Sequence, residues 1–197
     1  VGKSGELRYA LASSGRITEP TKTLDVARFR APFRLQMMGR DGATEAEIDT
    51  GPGTSAWTDL GAVSPFVQLA VITCEDGRFQ RHEGFDHEAI RNSTRENVRR
   101  RKFFRGASTL SMQLAKNLYL SKEKRLSRKL EELFLTLYLE QALTKEQILE
   151  LYLNVVEFGP KVYGIGAAAR HYFSTSPSRL TLSQAFFLAS ILPAPKV

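Results

Sequence analysis

The sequence is poor in residues that build disulfides and metal centres, with one cysteine and three histidines among 197 residues. A single cysteine excludes an internal disulfide, and Cys74 lies in an apolar run where we expect a buried free thiol. No other His or Cys lies at metal-ligand spacing from His82, so the sequence argues against a zinc site. It also has no apolar run long enough to cross a bilayer and no recognisable signal peptide. The abrupt ends at Val1 and Val197 lead us to expect a piece of a longer protein.

Acidic residues are in the minority, because 21 Asp and Glu stand against 28 Lys and Arg and leave a net charge of +7. A basic balance of this kind suits anionic partners such as nucleic acid, anionic lipid or pyrophosphate. Hydrophobic residues make up 42% of the chain, which is enough to bury a core. Composition therefore indicates a globular protein with an anionic partner and does not choose among these partners.

Hydrophobic patterning divides the chain into two parts. Residues 1–56 are weakly patterned, with strand-like pieces at Glu6–Ala12 and Phe33–Met38. Beyond them, helical periodicity and two capping boxes, Thr144-x-x-Gln147 and Thr181-x-x-Gln184, predict a series of helices. The predicted helices cover residues 65–75, 86–99, 109–120, 124–142, 145–154, 164–171 and 182–192. We therefore predict a mainly α protein, with a helical domain over 57–197 and a short β-containing segment over 1–56 that could belong to an upstream accessory domain.

An apolar helix over residues 66–74 runs directly into two carboxylates, Glu75 and Asp76. A carboxylate at the end of an apolar helix loses hydration, which raises its pKa and makes it a better general base. The competing interpretation is a solvated helix-end acid, which is the commoner case for acidic pairs. His82, taken alone, is typical of a structural hydrogen-bonding residue. The local sequence leaves both interpretations of Glu75 open.

A polar stripe is predicted on the helix that begins after Ser108, which we expect to be its N-cap. Thr109, Gln113, Lys116 and Asn117 fall on one face of that helix. Two amides, a hydroxyl and an ammonium in one stripe can bind a sugar or a phosphate. An ordinary amphipathic helix with a wet polar face explains the same pattern, and the local sequence favours neither.

Three further polar positions stand in the helical region. Arg128 and Glu132 are four residues apart, which favours a surface ion pair on a helix. Asn154 is expected to cap the end of its helix, and Arg170 follows a run of small residues and is expected to face an anion or a carbonyl. The predicted buried face of the helix that carries Arg128 consists of Leu126, Leu130, Leu133 and Leu137.

The order of five motifs is more specific than any one of them. They are Glu75-Asp-x-x-Phe-x-x-His-x-Gly, Gly106-Ala-Ser-Thr-x-x-x-Gln-x-x-Lys-Asn, Arg128-Lys-x-x-Glu, Lys145-x-x-Ile-Leu-Glu-x-Tyr-Leu-Asn and Arg170-x-Tyr-Phe. Together they resemble the five motifs of the family 51 peptidoglycan glycosyltransferases, in a form closest to the monofunctional transglycosylases. The resemblance implies a lysozyme-like helical fold with two lobes, a lipid-linked glycan strand as donor and lipid II as acceptor.

The resemblance also implies roles for individual residues. Glu75 matches the family's catalytic base and Glu132 its second cleft carboxylate. At the position of a common pyrophosphate-binding Arg this chain has Lys124, followed by Arg125, and the choice between them is left open. No cofactor is required, and a divalent cation (Mg²⁺ or Mn²⁺) at the pyrophosphate is left open. The substrate-binding set is Asp76, Phe79, His82, Ser108, Thr109, Gln113, Lys116, Asn117, Lys124, Arg125, Arg128, Asn154 and Arg170.

The implied function is polymerisation of lipid II at the outer face of the bacterial inner membrane, with the domain in the periplasm or at the cell exterior. The basic run 99–102, with Phe103 and Phe104 after it, is expected to contact the membrane surface. Other cell-wall synthesis proteins are expected partners, and nucleic acid is not. Two alternatives are a lytic enzyme of the same fold class and an inactive scaffold that binds glycan or lipid.

Overall fold

The computed structural model of the protein describes residues 7–9, 22–38, 44–102, 106–119 and 126–193. In the N-terminal part, β1 (Leu7–Tyr9) pairs with β2 (Lys22–Leu24), and β3 (Phe33–Met38) pairs with β4 (Thr44–Thr50). Both pairs are antiparallel. The predicted strand at Phe33–Met38 is confirmed, and the strand predicted over Glu6–Ala12 covers Leu7–Tyr9 among the described residues.

Seven helices occur in the described residues, each within two residues of its predicted bounds. They are α1 (Pro65–Glu75), α2 (His87–Arg100), α3 (Leu110–Tyr119), α4 (Leu126–Ala142), α5 (Lys145–Val155), α6 (Ile165–Phe173) and α7 (Leu182–Ile191). A short hairpin of β5 (Glu157–Gly159) and β6 (Val162–Tyr163) lies between α5 and α6. The predicted mainly α class is confirmed.

Local sequence explains where several helices begin. Both predicted capping boxes are present. The side chains of Thr144 and Thr181 each accept a hydrogen bond from the backbone N–H of the glutamine three residues later. In return, the side chain of that glutamine accepts a hydrogen bond from the backbone N–H of the threonine. Pro65 is the first residue of α1, where a missing N–H costs nothing. Asp86 caps α2 by accepting from Ala89 N at 2.9 Å. These residues set where α1, α2, α5 and α7 begin.

One hydrophobic core joins the helices to β3 and to the turn that precedes it. α1 packs on α7, and α3 packs on both α4 and α5. Phe29, Leu35 and Met37 are buried in the same cluster as the apolar side chains of these helices. The ring of Phe29 meets that of Tyr119 at the end of α3, with 6.1 Å between centroids. The segment before residue 57 therefore contributes directly to the core beneath α3.

The predicted buried face of α4 is wrong. The side chains of Leu130 and Leu137 are 55% and 43% exposed, whereas Leu135 and Leu139 are buried. Glu132 and Thr136 are buried on the same face as Leu135 and Leu139, as their spacing of three and four residues requires. Leucines surround this helix on most sides, so apolarity alone does not identify the face that packs. Leu133 is half-buried, and the side chain of Leu126 lies outside the described residues.

The prediction of a buried thiol is also wrong, because Cys74 is exposed. Its spacing places it on the face of α1 that buries Val67, Ala70 and Val71. It lies in the last turn of the helix, which ends one residue later at Glu75. Among the described residues, none of the helices combines the length and the apolar character that crossing a bilayer requires.

Gly84 allows the loop after α1 to lie directly against α4. Its φ of +96° is in the region that side chains rarely adopt. A Cβ at this position would stand 2.9 Å from Cγ2 of Thr136 and 3.3 Å from Cγ of Glu140. The glycine is therefore required both by backbone conformation and by the close approach. This contact places the loop that follows Glu75 one helical turn from Glu132.

Candidate active site

Glu75 is the last residue of α1 and is half-buried. Its Oε2 accepts a hydrogen bond of 2.8 Å from Gln113 Nε2, which α3 carries. Loss of hydration raises the pKa of this carboxyl above its ordinary value, the Gln113 bond and the charge of Lys116 oppose that rise, and Asp76 adds to it. The solvated helix-end interpretation is therefore excluded. The carboxylate is a stronger base than an ordinary glutamate and still has a cation nearby.

Gln113 is held at both ends of its amide. While Nε2 donates to Glu75, Oε1 accepts from the hydroxyl of Tyr152 at 3.0 Å. Tyr152 belongs to α5 and is fully buried. Sequence reasoning did not identify a role for the Tyr152 hydroxyl, because its partner is 39 residues away along the chain.

Asp76, the neighbour of Glu75, is buried and accepts hydrogen bonds from two parts of the chain. Nε2 of His82 donates to its two oxygens at 2.9 and 3.0 Å, and Leu110 N donates to Oδ2 at 2.9 Å. Gly84 N donates to Nδ1 of His82 at 3.2 Å, so Nε2 carries the ring proton. Asp76 and His82 thus join the loop after α1 to the first turn of α3, which is the structural role that local reasoning favoured for His82.

Thr109 and not Ser108 caps α3, so the predicted N-cap is wrong. Oγ1 of Thr109 accepts from Met112 N at 3.2 Å and donates to Gly84 O at 2.6 Å. The helix begins one residue later than a Ser108 cap requires, because Thr109 can satisfy both groups at once. Ser108 is left exposed. Lys116 is exposed and Asn117 half-buried farther along α3, on the turns that follow Gln113.

Glu132 is buried on α4, and Lys129, one turn earlier, forms an ion pair with its Oε1. Sequence reasoning expected Arg128 beside Glu132, and the side chain of Arg128 lies outside the described residues. Lys129 was missed, although a spacing of three residues is as favourable on a helix as four. Lys124 and Arg125, the alternative pyrophosphate contacts, also lie outside the described residues.

Asn154 attaches the segment before α1 to α5 and does not cap the helix as predicted. Its Oδ1 accepts from Thr58 N and its Nδ2 donates to Thr58 O, both at 2.8 Å. One turn earlier, Oε2 of Glu150 accepts from Leu60 N at 2.7 Å. α5 continues to Val155, so Asn154 is in its last turn and not beyond it. Glu150 was missed, although two polar residues four apart on an otherwise apolar face indicate a shared polar partner.

The remaining predicted site residues are placed as follows. Phe79 is fully buried, and Nζ of Lys145 lies 4.6 Å from the centre of its ring. Arg170 is exposed in the last turn of α6, and its guanidinium reaches back over Gly166. Contacts of these residues, and of Asp76, His82, Ser108, Thr109, Asn117 and Asn154, with a substrate stay predictions. In the part of the chain that the structure describes, no three His, Cys, Asp or Glu side chains gather as a metal site would need.

Fold and site together define a mainly helical domain built around a half-buried carboxylate at a helix end. A family model described as Transglycosylase matches residues 42–197. The chain therefore belongs to the transglycosylase family. The match begins ahead of residue 57, where the sequence suggested the helical domain starts.

Curated relatives agree with this assignment. The protein is 50% identical to the biosynthetic peptidoglycan transglycosylase of Nitrosomonas eutropha over 140 residues, which are 71% of this chain and 57% of the relative. It is 51% identical to the protein of that name from Nitrosomonas europaea over 140 residues, again 71% and 57% of the two chains. For the Nitrosospira multiformis protein the values are 46% over 163 residues, covering 83% and 68%. The chain thus spans somewhat more than half the length of the Nitrosomonas relatives.

Proposed function

We propose that this domain is a peptidoglycan glycosyltransferase that polymerises lipid II, with Glu75 as its general base. Glu75 takes the proton from the 4-hydroxyl of the acceptor sugar, and that oxygen attacks the anomeric carbon of the donor and inverts it. The bond from that carbon to the lipid pyrophosphate breaks, and the pyrophosphate leaves. The observation that supports this most is the half-buried carboxylate of Glu75, whose pKa is raised by loss of hydration.

Cations near Glu75 suit an anionic leaving group. Lys116 lies close enough to Glu75 to oppose the rise of its pKa, and a cation at this exposed position suits the charge of a pyrophosphate. Lys129 forms an ion pair with Glu132 and so holds this second, buried carboxyl in place on α4. Glu132 is then suited to stabilise positive character at the anomeric carbon. A divalent cation at the pyrophosphate would add a Lewis acid, but no step proposed here depends on one.

The choice between polymerisation and glycan cleavage is tested by offering both substrates to the protein. Incubation with lipid II should give glycan polymer, whereas incubation with purified sacculi should release no soluble fragments. Cleavage of sacculi without polymer formation would establish the lytic alternative. Binding of lipid II with neither reaction would establish the inactive scaffold, and either result overturns the proposal.

We also propose that the domain works at the outer face of the inner membrane, through exposed basic and apolar side chains. Arg91, Arg95 and Arg99 are exposed on α2, where Val98 is 71% exposed. On α4, Phe134 is 68% exposed in the stripe that also bears Leu130 and Leu137. Cations beside apolar side chains suit the headgroup layer of an anionic bilayer. Phe103 and Phe104, expected to share this role, lie outside the described residues.

Liposome sedimentation tests this contact. Arg91→Gln with Arg95→Gln should reduce binding to phosphatidylglycerol vesicles roughly 30-fold, because each basic residue near an anionic surface contributes about 1 kcal/mol. The matched control is Lys161→Gln with Arg179→Gln, which removes the same charge from exposed positions outside α2. Equal losses in the two double variants would mean that net charge alone drives binding. No loss in the α2 variant would show that this surface does not meet the membrane.

A further inference from the structure

We propose that Tyr152 is a positioning residue that fixes the orientation of the Gln113 amide and thereby keeps the Glu75 carboxylate ready to accept a proton. This inference rests on the proposed role of Glu75 as general base. Tyr152 does not touch the substrate, because it is fully buried. It acts through two hydrogen bonds in series, 3.0 Å from its hydroxyl to Gln113 Oε1 and 2.8 Å from Gln113 Nε2 to Glu75 Oε2.

Of the three side chains joined by these two hydrogen bonds, Gln113 is the one whose orientation can be reversed. A glutamine amide has a donating end and an accepting end of nearly the same shape, and rotation by half a turn exchanges them. With Nε2 toward Glu75, the amide stabilises the ionised carboxylate, which only accepts. With Oε1 toward Glu75, it would stabilise the protonated carboxyl, which donates. The orientation of Gln113 therefore decides which protonation state of Glu75 is favoured.

Tyr152 makes the two orientations unequal. Among the described residues, Gln113 Oε1 is the acceptor that the buried hydroxyl of Tyr152 finds. If the amide reversed, Tyr152 would face an NH₂ group, and its own O–H would lack an acceptor inside the core. A buried donor without a partner is costly. The tyrosine hydroxyl therefore holds the amide in the orientation that favours ionised Glu75.

The surroundings keep this arrangement constant with pH. Burial, together with the charge of Glu75, raises the pKa of Tyr152 well above its ordinary value, so the hydroxyl remains a donor. The other titratable groups that interact electrostatically with Glu75 are Asp76, Lys116 and Cys74. α7, which packs along α1, carries no titratable side chain.

Tyr152→Phe tests the inference, since it removes the hydroxyl and keeps the ring that fills the core. The Gln113 amide is then no longer held in one orientation, and the protonated form of Glu75 becomes more stable relative to the ionised form. On the acid limb of the pH profile, kcat/KM for lipid II polymerisation should fall roughly tenfold, and at high pH it should change less than about threefold. KM should be unchanged. An equal loss of activity at every pH would indicate a merely structural tyrosine and overturn the inference.

The matched control is Tyr172→Phe, which also deletes a hydroxyl that donates to a single acceptor, Phe158 O at 2.8 Å. It should leave the shape of the pH profile unchanged. If it shifts the acid limb as far as Tyr152→Phe does, loss of a tyrosine hydroxyl acts generally and the inference is wrong.

A second measurement separates this inference from the proposed function. The carboxyl ¹³C shift of Glu75, followed against pH by NMR, reports its titration whether or not it is the catalytic base. Tyr152→Phe and Gln113→Leu should both move this titration to higher pH. If Gln113→Leu moves it and Tyr152→Phe does not, or neither does, the tyrosine has no such role. Failure of the proposed function would appear elsewhere, in a Glu75→Gln variant that still polymerises.

Discussion

Glu75→Gln is expected to reduce the rate of lipid II polymerisation by roughly 100- to 10,000-fold, the usual contribution of a general base. Glutamine has nearly the same shape and keeps a carbonyl that can accept from Gln113, so the fold should be retained. It cannot take up a proton from the acceptor hydroxyl. The measurement is polymer formed per unit time from lipid II, with the unfolding temperature of each variant determined alongside.

The matched control for this variant is Glu83→Gln, an exposed acid in the loop that follows α1. It removes the same charge from a position a few residues away and should retain wild-type activity. If Glu75→Gln polymerises lipid II at the wild-type rate, Glu75 is not the general base. A large loss in Glu83→Gln as well would show that the loss reflects charge in this loop and not proton transfer.

The pH dependence of the wild-type protein follows from the direction of the pKa shift. A general base works when it is deprotonated, so activity falls as the pH drops through the pKa of Glu75. Because loss of hydration raises that pKa, the fall should begin at a higher pH than for an ordinary, solvated glutamate. An acid limb at or below the ordinary glutamate range would contradict the environment described for this carboxyl.

Helix positions could be predicted from the sequence because their signals are local. A capping box such as Thr144-x-x-Gln147 contains both of its partners within four residues, and both bonds are present. The same reasoning failed for α4, where apolar residues on several sides conceal the face that packs. There tertiary contacts decide, since Gly84 lies against Thr136 and α3 packs against the same helix. Once the packed face is known, the burial of Glu132 follows from its spacing to Thr136.

The site shows the same limit. The order of motifs identified Glu75, Gln113 and Glu132, but not which of them touch. Gln113 meets Glu75 across 38 positions of sequence, and Tyr152 meets Gln113 across 39. Asn154 was expected at a helix end because its own helix was the only partner that the sequence offered. Thr58, its actual partner, is 96 residues away. The motifs therefore singled out these residues, but they did not show which distant residue each side chain contacts.

Asp76→Ala is expected to lower the free energy of unfolding by about 2–4 kcal/mol, because a buried acceptor with several donors is removed. The N–H groups of His82 and Leu110 would both lose their partner inside the protein. Leu110 begins α3, so the loss reaches the helix that carries Gln113. Urea unfolding of the variant and the wild type measures the difference.

The control for Asp76→Ala is Asp59→Ala, since Asp59 is exposed and its side chain makes no capping bond with the turn that follows it. It should change stability by less than about 0.5 kcal/mol. The resemblance to family 51 implies instead that Asp76 binds substrate, and the two roles give opposite results. If Asp76→Ala unfolds like the wild type and only raises KM for lipid II, the residue is a substrate contact. If stability falls as expected, its motif position reflects the need to hold α3, and with it Gln113, beside Glu75.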